Sequence, residues 1–207
     1  MATAVKICGI TRVEDALDAA RAGAHAIGVV FAPGSPRLGD QDRAAAIVRA
    51  LPPFVTPVAL FVDPAPDLVR AVIERVKPQL LQFHGAEEPA FCAGFGMPFL
   101  KAVRVRAGVD LLQYARQYAR AQGLLLDAFV EGNHGGTGAV FDWSLIPREF
   151  VLPIVLAGGL DPGNVGEAVR RVRPWAVDVS SGVEASKGIK DAAKVAAFIR
   201  GVRDADV

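Results

Sequence analysis

The sequence predicts an α/β protein folded as a single (β/α)8 TIM barrel, and three observations predict it. Apolar runs of strand length alternate with amphipathic stretches of helix length about eight times along the chain. Hydrophobic residues make up 52% of the sequence, yet no apolar run reaches the ~18 residues that a membrane span needs. The excess therefore lies in many short segments, as in a parallel sheet covered on both faces, whose strands read as near-continuous Val/Ile/Leu runs. The 207 residues show no linker, which gives one domain over 1–207, somewhat shorter than the ~250 residues usual for such barrels. An open, doubly wound sheet of eight strands is the competing architecture, with its cleft at a change of strand order.

The first strand is Val5-Lys6-Ile7-Cys8, closed by Gly9-Ile10-Thr11. Period-two alternation puts Val5 and Ile7 on one face and Lys6 and Cys8 on the other. An inward ammonium needs a partner carboxylate or water at the strand end. In the other reading Lys6 lies on a solvated edge and Cys8 is a small core residue. Val13 to Arg21 has helical spacing, with Thr11 as N-cap and Gly23 as stop. A second strand, His25 to Phe31, leads into a loop, Ala32 to Gly39, whose two prolines and two glycines defeat both periodicities. A helix follows over about 40–51. Further strands are expected at 56–62, 79–84, 98–105, 123–128, 153–157 and 175–180, with helices near 66–76, 87–93 and 109–121. A loop containing Gly135-Gly136-Thr137-Gly138 and a short helical segment near Trp143 follow the sixth strand. The helix after the seventh should begin at Asp161-Pro162, a cap followed by a good first-turn residue, and the last should run from about 191 to 200.

Charge and cysteine usage narrow the functions. Lys and Arg number 23 against 22 Asp and Glu, a net charge of +1, which excludes nucleic acid or a membrane surface as the main partner and leaves a small anionic ligand. The N-terminal residues lack the charged and long apolar regions of a secretory signal, so a cytoplasmic location is expected. Two cysteines, Cys8 and Cys92, argue against a disulfide scaffold, and three scattered histidines show no zinc-site spacing.

In a barrel the chemistry gathers at the strand C-terminal ends, and unusual polar residues fall there. Asp127 follows a triple-leucine run, with Leu125 pointing inward beside it. A carboxylic acid against apolar walls stays protonated more readily and suits a general acid, although a structural acceptor at a strand end explains Asp127 as well. Cys8, a thiol near a lysine and facing solvent, can become a thiolate and serve as base or nucleophile. Strands one and six would set the two groups facing each other across the barrel mouth. Gly158 and Gly159 after strand seven, with Asp178, Ser180, Ser181 and Gly182 around the end of strand eight, suggest a phosphate site built from backbone N–H groups. Arg37 offers a guanidinium fork for a carboxylate, or is a surface arginine. His84 either binds substrate or is a satisfied structural group. The Gly135–Gly138 stretch lacks the Lys-Ser/Thr of a Walker motif and fits a close-packed substrate loop better. His25 and His134 read as structural or solvent-facing, and Cys92 as helix packing.

Taken in order, Lys6-Ile7-Cys8-Gly9-Ile10-Thr11, Ser35-Pro36-Arg37, Gln82-Phe83-His84-Gly85, Leu126-Asp127, Gly135-Gly136-Thr137-Gly138-Ala139-Val140-Phe141-Asp142-Trp143, Leu156-Ala157-Gly158-Gly159-Leu160 and Asp178-Val179-Ser180-Ser181-Gly182-Val183-Glu184 resemble the phosphoribosylanthranilate isomerase family. The resemblance runs from Lys6 into the final helix. It implies an Amadori rearrangement in tryptophan biosynthesis, from N-(5-phosphoribosyl)anthranilate to 1-(2-carboxyphenylamino)-1-deoxyribulose 5-phosphate. It also implies that Asp127 protonates the furanose oxygen as general acid and that Cys8 removes the C2′ proton as general base. Arg37 would hold the anthranilate carboxylate, and the last two loops the phosphate. The only partner implied is the small phosphorylated substrate, with no metal or organic cofactor; monomer or homodimer is left open. Phe83 stands where a leucine is common in the family. The related sugar isomerase of histidine biosynthesis fits less well, since an aspartate stands there in place of Cys8 and only one phosphate site is visible here. A non-catalytic barrel that binds a phosphorylated ligand would lack the acid or the base.

Overall fold

The eight apolar runs form eight parallel strands that close on themselves in sequence order. The computed structural model describes residues 2–128, 141–147 and 149–206. Its barrel strands are β1 Ala4–Ile7, β2 Ala26–Val30, β3 Thr56–Phe61, β4 Leu80–Phe83, β5 Phe99–Val105, β6 Gly123–Ala128, β7 Ile154–Leu156 and β8 Ala176–Val179. Closure is made by β1 and β8, which pair in parallel with Lys6 opposite Asp178. The open-sheet alternative is thereby ruled out. The helices between strands are α1 Val13–Ala22, α2 Gln41–Ala50, α3 Pro66–Val76, α4 Pro89–Ala93, α5 Leu111–Gln117, α6 Val165–Val172 and α7 Ala192–Ala205. Trp143–Leu145 forms one 3-10 turn after β6. The Gly135–Gly138 loop and His134 lie outside the described residues. No helix among the described residues is long and apolar enough to cross a membrane.

Alternation sorts each strand between two cores. Val5, Ile7, Leu124 and Leu126 point outward into the large cluster under the helices. Leu125 points inward with Leu100, Ala102, Val155, Ala157 and Ala176, filling the barrel interior. Phe83 also faces outward, and its ring meets those of Phe61, Phe91, Phe95 and Phe99 with centroids 5.8–6.1 Å apart. A phenylalanine therefore fits this position because aromatic neighbours have been built around it. Cys92 is buried on α4 as helix packing.

Element ends follow local chemistry, with three departures from the sequence reading. Gly23 ends α1 with φ +103°, and Asp40, Asp110 and Asp191 cap α2, α5 and α7 by accepting from backbone N–H groups. Thr11 does not cap α1; Arg12 holds that position, and the Thr11 hydroxyl instead donates to the Gly188 carbonyl at 2.5 Å. The Asp161 carboxylate caps a turn, accepting from Gly163 and Asn164 N–H at 2.7 and 3.0 Å, so regular helix begins only at Val165. Between β8 and α7 stands a small antiparallel hairpin, β9 Glu184–Ser186 and β10 Ile189–Lys190, which periodicity does not reveal because its strands are too short.

A buried ion pair holds the loop after β4. Lys101 Nζ lies 2.8 Å from Glu87 Oε2 and donates to the Gly85 carbonyl at 2.6 Å, while Glu87 accepts from the Asp63 and Gly85 N–H groups. Both side chains are about 2% exposed. Lys101→Met strands the carboxylate without a counter-charge, and urea denaturation should show a loss of about 3–5 kcal/mol.

Candidate active site

The strand C-terminal ends surround a cavity of about 460 Å3 whose wall includes Cys8, Arg37, His84, Asp127, Gly158, Gly159, Asp178, Ser180 and Ser181. Nine of the ten residues singled out from the sequence thus meet around one hollow. Gly182 stands behind the wall, where a side chain would run into the Leu160 carbonyl.

On the β1 side, the inward lysine has found its carboxylate. Lys6 Nζ lies 2.8 Å from Asp178 Oδ1, and both groups are buried. Burial works against the ammonium, but the Asp178 carboxylate, joined by the Cys8 sulfur when it is ionised, outweighs it and holds Lys6 above its ordinary value. Gly28, across from them on β2, gives these groups room: a Cβ there would sit 2.8 Å from Cys8 Sγ and 3.0 Å from Lys6 Nζ. Cys8 itself is 4% exposed rather than open to solvent. Burial pushes its thiol above the ordinary 9.0 and Lys6 pulls it back only in part. The structure differs from the sequence expectation in one respect: Cys8 is buried beside Lys6 rather than facing open solvent, and a buried thiolate there is a stronger base than an ordinary one.

The same burial sets a pH dependence of stability. Cys92 is pushed up to about 11 and Tyr118 to about 12, each chiefly by burial. The folded chain keeps these protons, and that of Cys8, to higher pH than the unfolded chain does. Their contribution is whole below pH about 8, where unfolded thiols begin to ionise, and is lost as pH climbs through the folded values. Urea midpoints should therefore fall steadily from pH 8.5 to 11; a flat profile would contradict this.

On the β6 side, three polar groups form a chain. Asp127 Oδ2 faces His84 Nε2 at 3.0 Å, and His84 Nδ1 faces Gln82 Nε2 at 3.1 Å. Since the Gln82 amide donates to Nδ1, the ring proton sits on Nε2 and is donated to Asp127. Asp127 Oδ1 accepts from the Ala128 N–H at 2.8 Å. Gly158 leaves that oxygen uncovered, since a Cβ there would lie 2.9 Å from Oδ1. His84 is thus a partner of Asp127 as well as part of the cavity wall. Gln82, fully buried, has an Oε1 without a hydrogen-bond partner among the described residues. Gln82 was not foreseen as a site residue; alternation, which puts Gln82 and His84 on one face, is the signal that could have found it.

Arg37 reaches the cavity across Gly9. With φ +72° and the Arg37 side chain lying where a Cβ would be, Gly9 has both the backbone and the space of a glycine. Arg37 Nε and Nη2 donate to Glu184 Oε1 and Oε2 at 2.7 and 2.8 Å. Burial opposes the charge on Glu184, but the bonds from Arg37 and Lys190 hold its carboxyl below the ordinary range. The bonds to Glu184 also raise Arg37. Glu184 and Lys190 were not foreseen as site residues, because nothing in sequence shows that the hairpin folds back onto Arg37. Among the described residues no group of three His, Cys, Asp or Glu is placed to hold a metal ion.

The model of the N-(5′-phosphoribosyl)anthranilate isomerase family matches residues 5–201. The chain belongs to this family. Phosphoribosylanthranilate isomerases are enzymes of tryptophan biosynthesis, and membership makes the chain an isomerase. The isomerase of Nitrosospira multiformis is 58% identical over 202 residues, spanning 98% of this chain and 97% of that one. The isomerase structure from Thermotoga maritima has a TM-score of 0.90 and 40% identity, covering 98% of this chain and 99% of that one. A further isomerase structure, also 40% identical with a TM-score of 0.86, covers 98% and 99% and contains reduced 1-(o-carboxyphenylamino)-1-deoxyribulose 5-phosphate.

Proposed function

We propose that this chain converts N-(5-phosphoribosyl)anthranilate to 1-(2-carboxyphenylamino)-1-deoxyribulose 5-phosphate, with Asp127 as general acid and Cys8 as general base. The observation that carries the reading is the meeting of a thiol directly after β1 and a carboxyl on β6 in the wall of one cavity. The Asp127 carboxyl protonates the ring oxygen, the C1′–O4′ bond breaks, and the anilino nitrogen lone pair closes a C=N bond. The resulting iminium acidifies C2′–H, which the Cys8 thiolate removes beside the Lys6 ammonium. Electrons move into C1′=C2′ and onto nitrogen. The enolamine then gains a proton at C1′ and loses one from the C2′ hydroxyl, so the product is an isomer of the substrate.

A buried thiolate suits the second step. Its strengthened basicity helps it take a carbon-bound proton, while Lys6 limits the cost of forming it. Phosphate binding falls to backbone N–H groups around Gly158 and Gly159, at φ +83° and +64°, and around Ser180 and Ser181. The end of the Arg37 guanidinium that Glu184 does not occupy faces the substrate carboxylate.

The test mixes the purified chain with freshly made phosphoribosylanthranilate and follows substrate fluorescence. Loss at a rate proportional to enzyme, with the ketose product in chromatography, supports the reading. Breakdown to anthranilate alone contradicts it.

A further inference from the structure

We propose that Glu184 is a positioning residue that aims Arg37 at the substrate carboxylate, and so makes the site prefer carboxyl-bearing substrates. The inference rests on the reading of Arg37 as the carboxylate grip and adds the group that makes the grip directional. A guanidinium has two edges able to hold a carboxylate in parallel bonds: the side edge, Nε with one Nη, and the end, Nη1 with Nη2. Glu184 fills the side edge with bonds of 2.7 and 2.8 Å. The fork is then fixed in plane and direction, and its end is left to a ligand.

Glu184 is itself held from several sides. Lys190 Nζ lies 2.9 Å from Glu184 Oε1 and donates to the Ser180 carbonyl at 3.1 Å. Lys194 Nζ donates to the Glu184 carbonyl at 2.9 Å. The hairpin is pinned at Gly188 by Thr11 and at Lys190 N–H by Asp15. Arg37 is thereby tied, through Glu184 and Lys190, to Ser180 on the loop proposed to take the phosphate. The carboxylate and phosphate grips keep a fixed spacing, which a substrate of one length matches.

Glu184 also puts a negative charge near the place where the substrate carboxylate binds. If charge alone mattered, Glu184→Gln would tighten binding. If aim matters, it weakens binding, because the amide presents an NH2 to a cationic donor and cannot accept from Arg37 at both positions. Glu184→Asp keeps the charge but is one methylene too short to span the fork.

The experiment measures dissociation constants of two ligands by fluorescence titration and calorimetry: reduced 1-(o-carboxyphenylamino)-1-deoxyribulose 5-phosphate, and its anilino counterpart lacking the carboxyl. Glu184→Gln and Glu184→Asp should each weaken the carboxyl-bearing ligand about 10–100-fold, the range for hydrogen bonds to charged groups, and leave the anilino ligand within about threefold. In steady state KM should rise while kcat changes less. Arg37→Ala should erase the preference for the carboxyl, and adding Glu184→Gln to it should cost nothing further. Equal weakening of both ligands would assign Glu184 to hairpin folding and overturn the proposal, as would unchanged or tighter carboxylate binding. Loss of the preference in Arg37→Ala but not in the Glu184 variants would leave the Arg37 reading standing and remove this one.

Discussion

Asp127→Asn lowers kcat by about 10²–10⁴-fold, the usual contribution of a general acid. The substitution keeps the volume of the side chain and removes its transferable proton. Its effect also spreads along the polar chain. The carboxyl accepts at both oxygens, from the Ala128 N–H and from His84 Nε2, while the proton of the proposed acid lies on Oδ1, the oxygen that Gly158 leaves uncovered. An amide accepts through one oxygen only. Either its NH2 meets the Ala128 N–H, or it meets His84 and forces the imidazole to give up its Nε2 proton, which in turn requires the Gln82 amide to reverse. The folded variant should therefore lose about 1–3 kcal/mol, the cost of one unmet buried group. KM should move less than kcat, because neither the Arg37 end nor the glycine loops are touched. Fluorescence kinetics on the purified, folded variant make the check, and near wild-type turnover would remove Asp127 from the mechanism.

Cys8→Ala should be equally severe, again about 10²–10⁴-fold, because the other basic group beside Lys6, the Asp178 carboxylate, is already engaged by the ammonium at 2.8 Å. The side chain is small and lines the cavity, so its loss disturbs packing little, and thermal unfolding should shift by only a few degrees. Cys8→Ser separates basicity from shape. It restores a hydroxyl near the same position, but serine ionises far less readily than cysteine, so it should stay as slow as alanine. Recovery of more than half the wild-type kcat in serine would mean that a hydrogen-bonding group suffices and that no anion forms at this position.

The barrel was legible because the buried parallel strands carry little besides Val, Leu, Ile and Ala, leaving each polar residue conspicuous. Lys6, Gln82, Asp127 and Asp178 all stand at inward positions set by alternation, and all four meet partners there. Lys6 shows how far that reading reaches: periodicity placed the ammonium inside and required a partner, and β1–β8 closure supplied Asp178 in register. What escaped the sequence depends on contacts between distant segments. Glu184 meets Arg37 across 147 positions, through a hairpin whose second strand is only two residues long. The burial of Cys8 escaped for a related reason, since burial is a property of the closed barrel and no local pattern reports it. Thr11 has the right chemistry for a cap at the right place, yet its hydroxyl serves the hairpin instead.

The claim beneath all of this is that sulfur and carboxyl address the same sugar from two strands. A crystal structure of this chain with reduced 1-(o-carboxyphenylamino)-1-deoxyribulose 5-phosphate tests it most directly. The account predicts Cys8 Sγ against C2′ and an Asp127 oxygen within hydrogen-bond reach, about 2.6–3.2 Å, of the oxygen on C4′, with the carboxylate on the end of Arg37. A sugar seated with C2′ turned away from Cys8, or with the C4′ oxygen out of reach of Asp127, would contradict it.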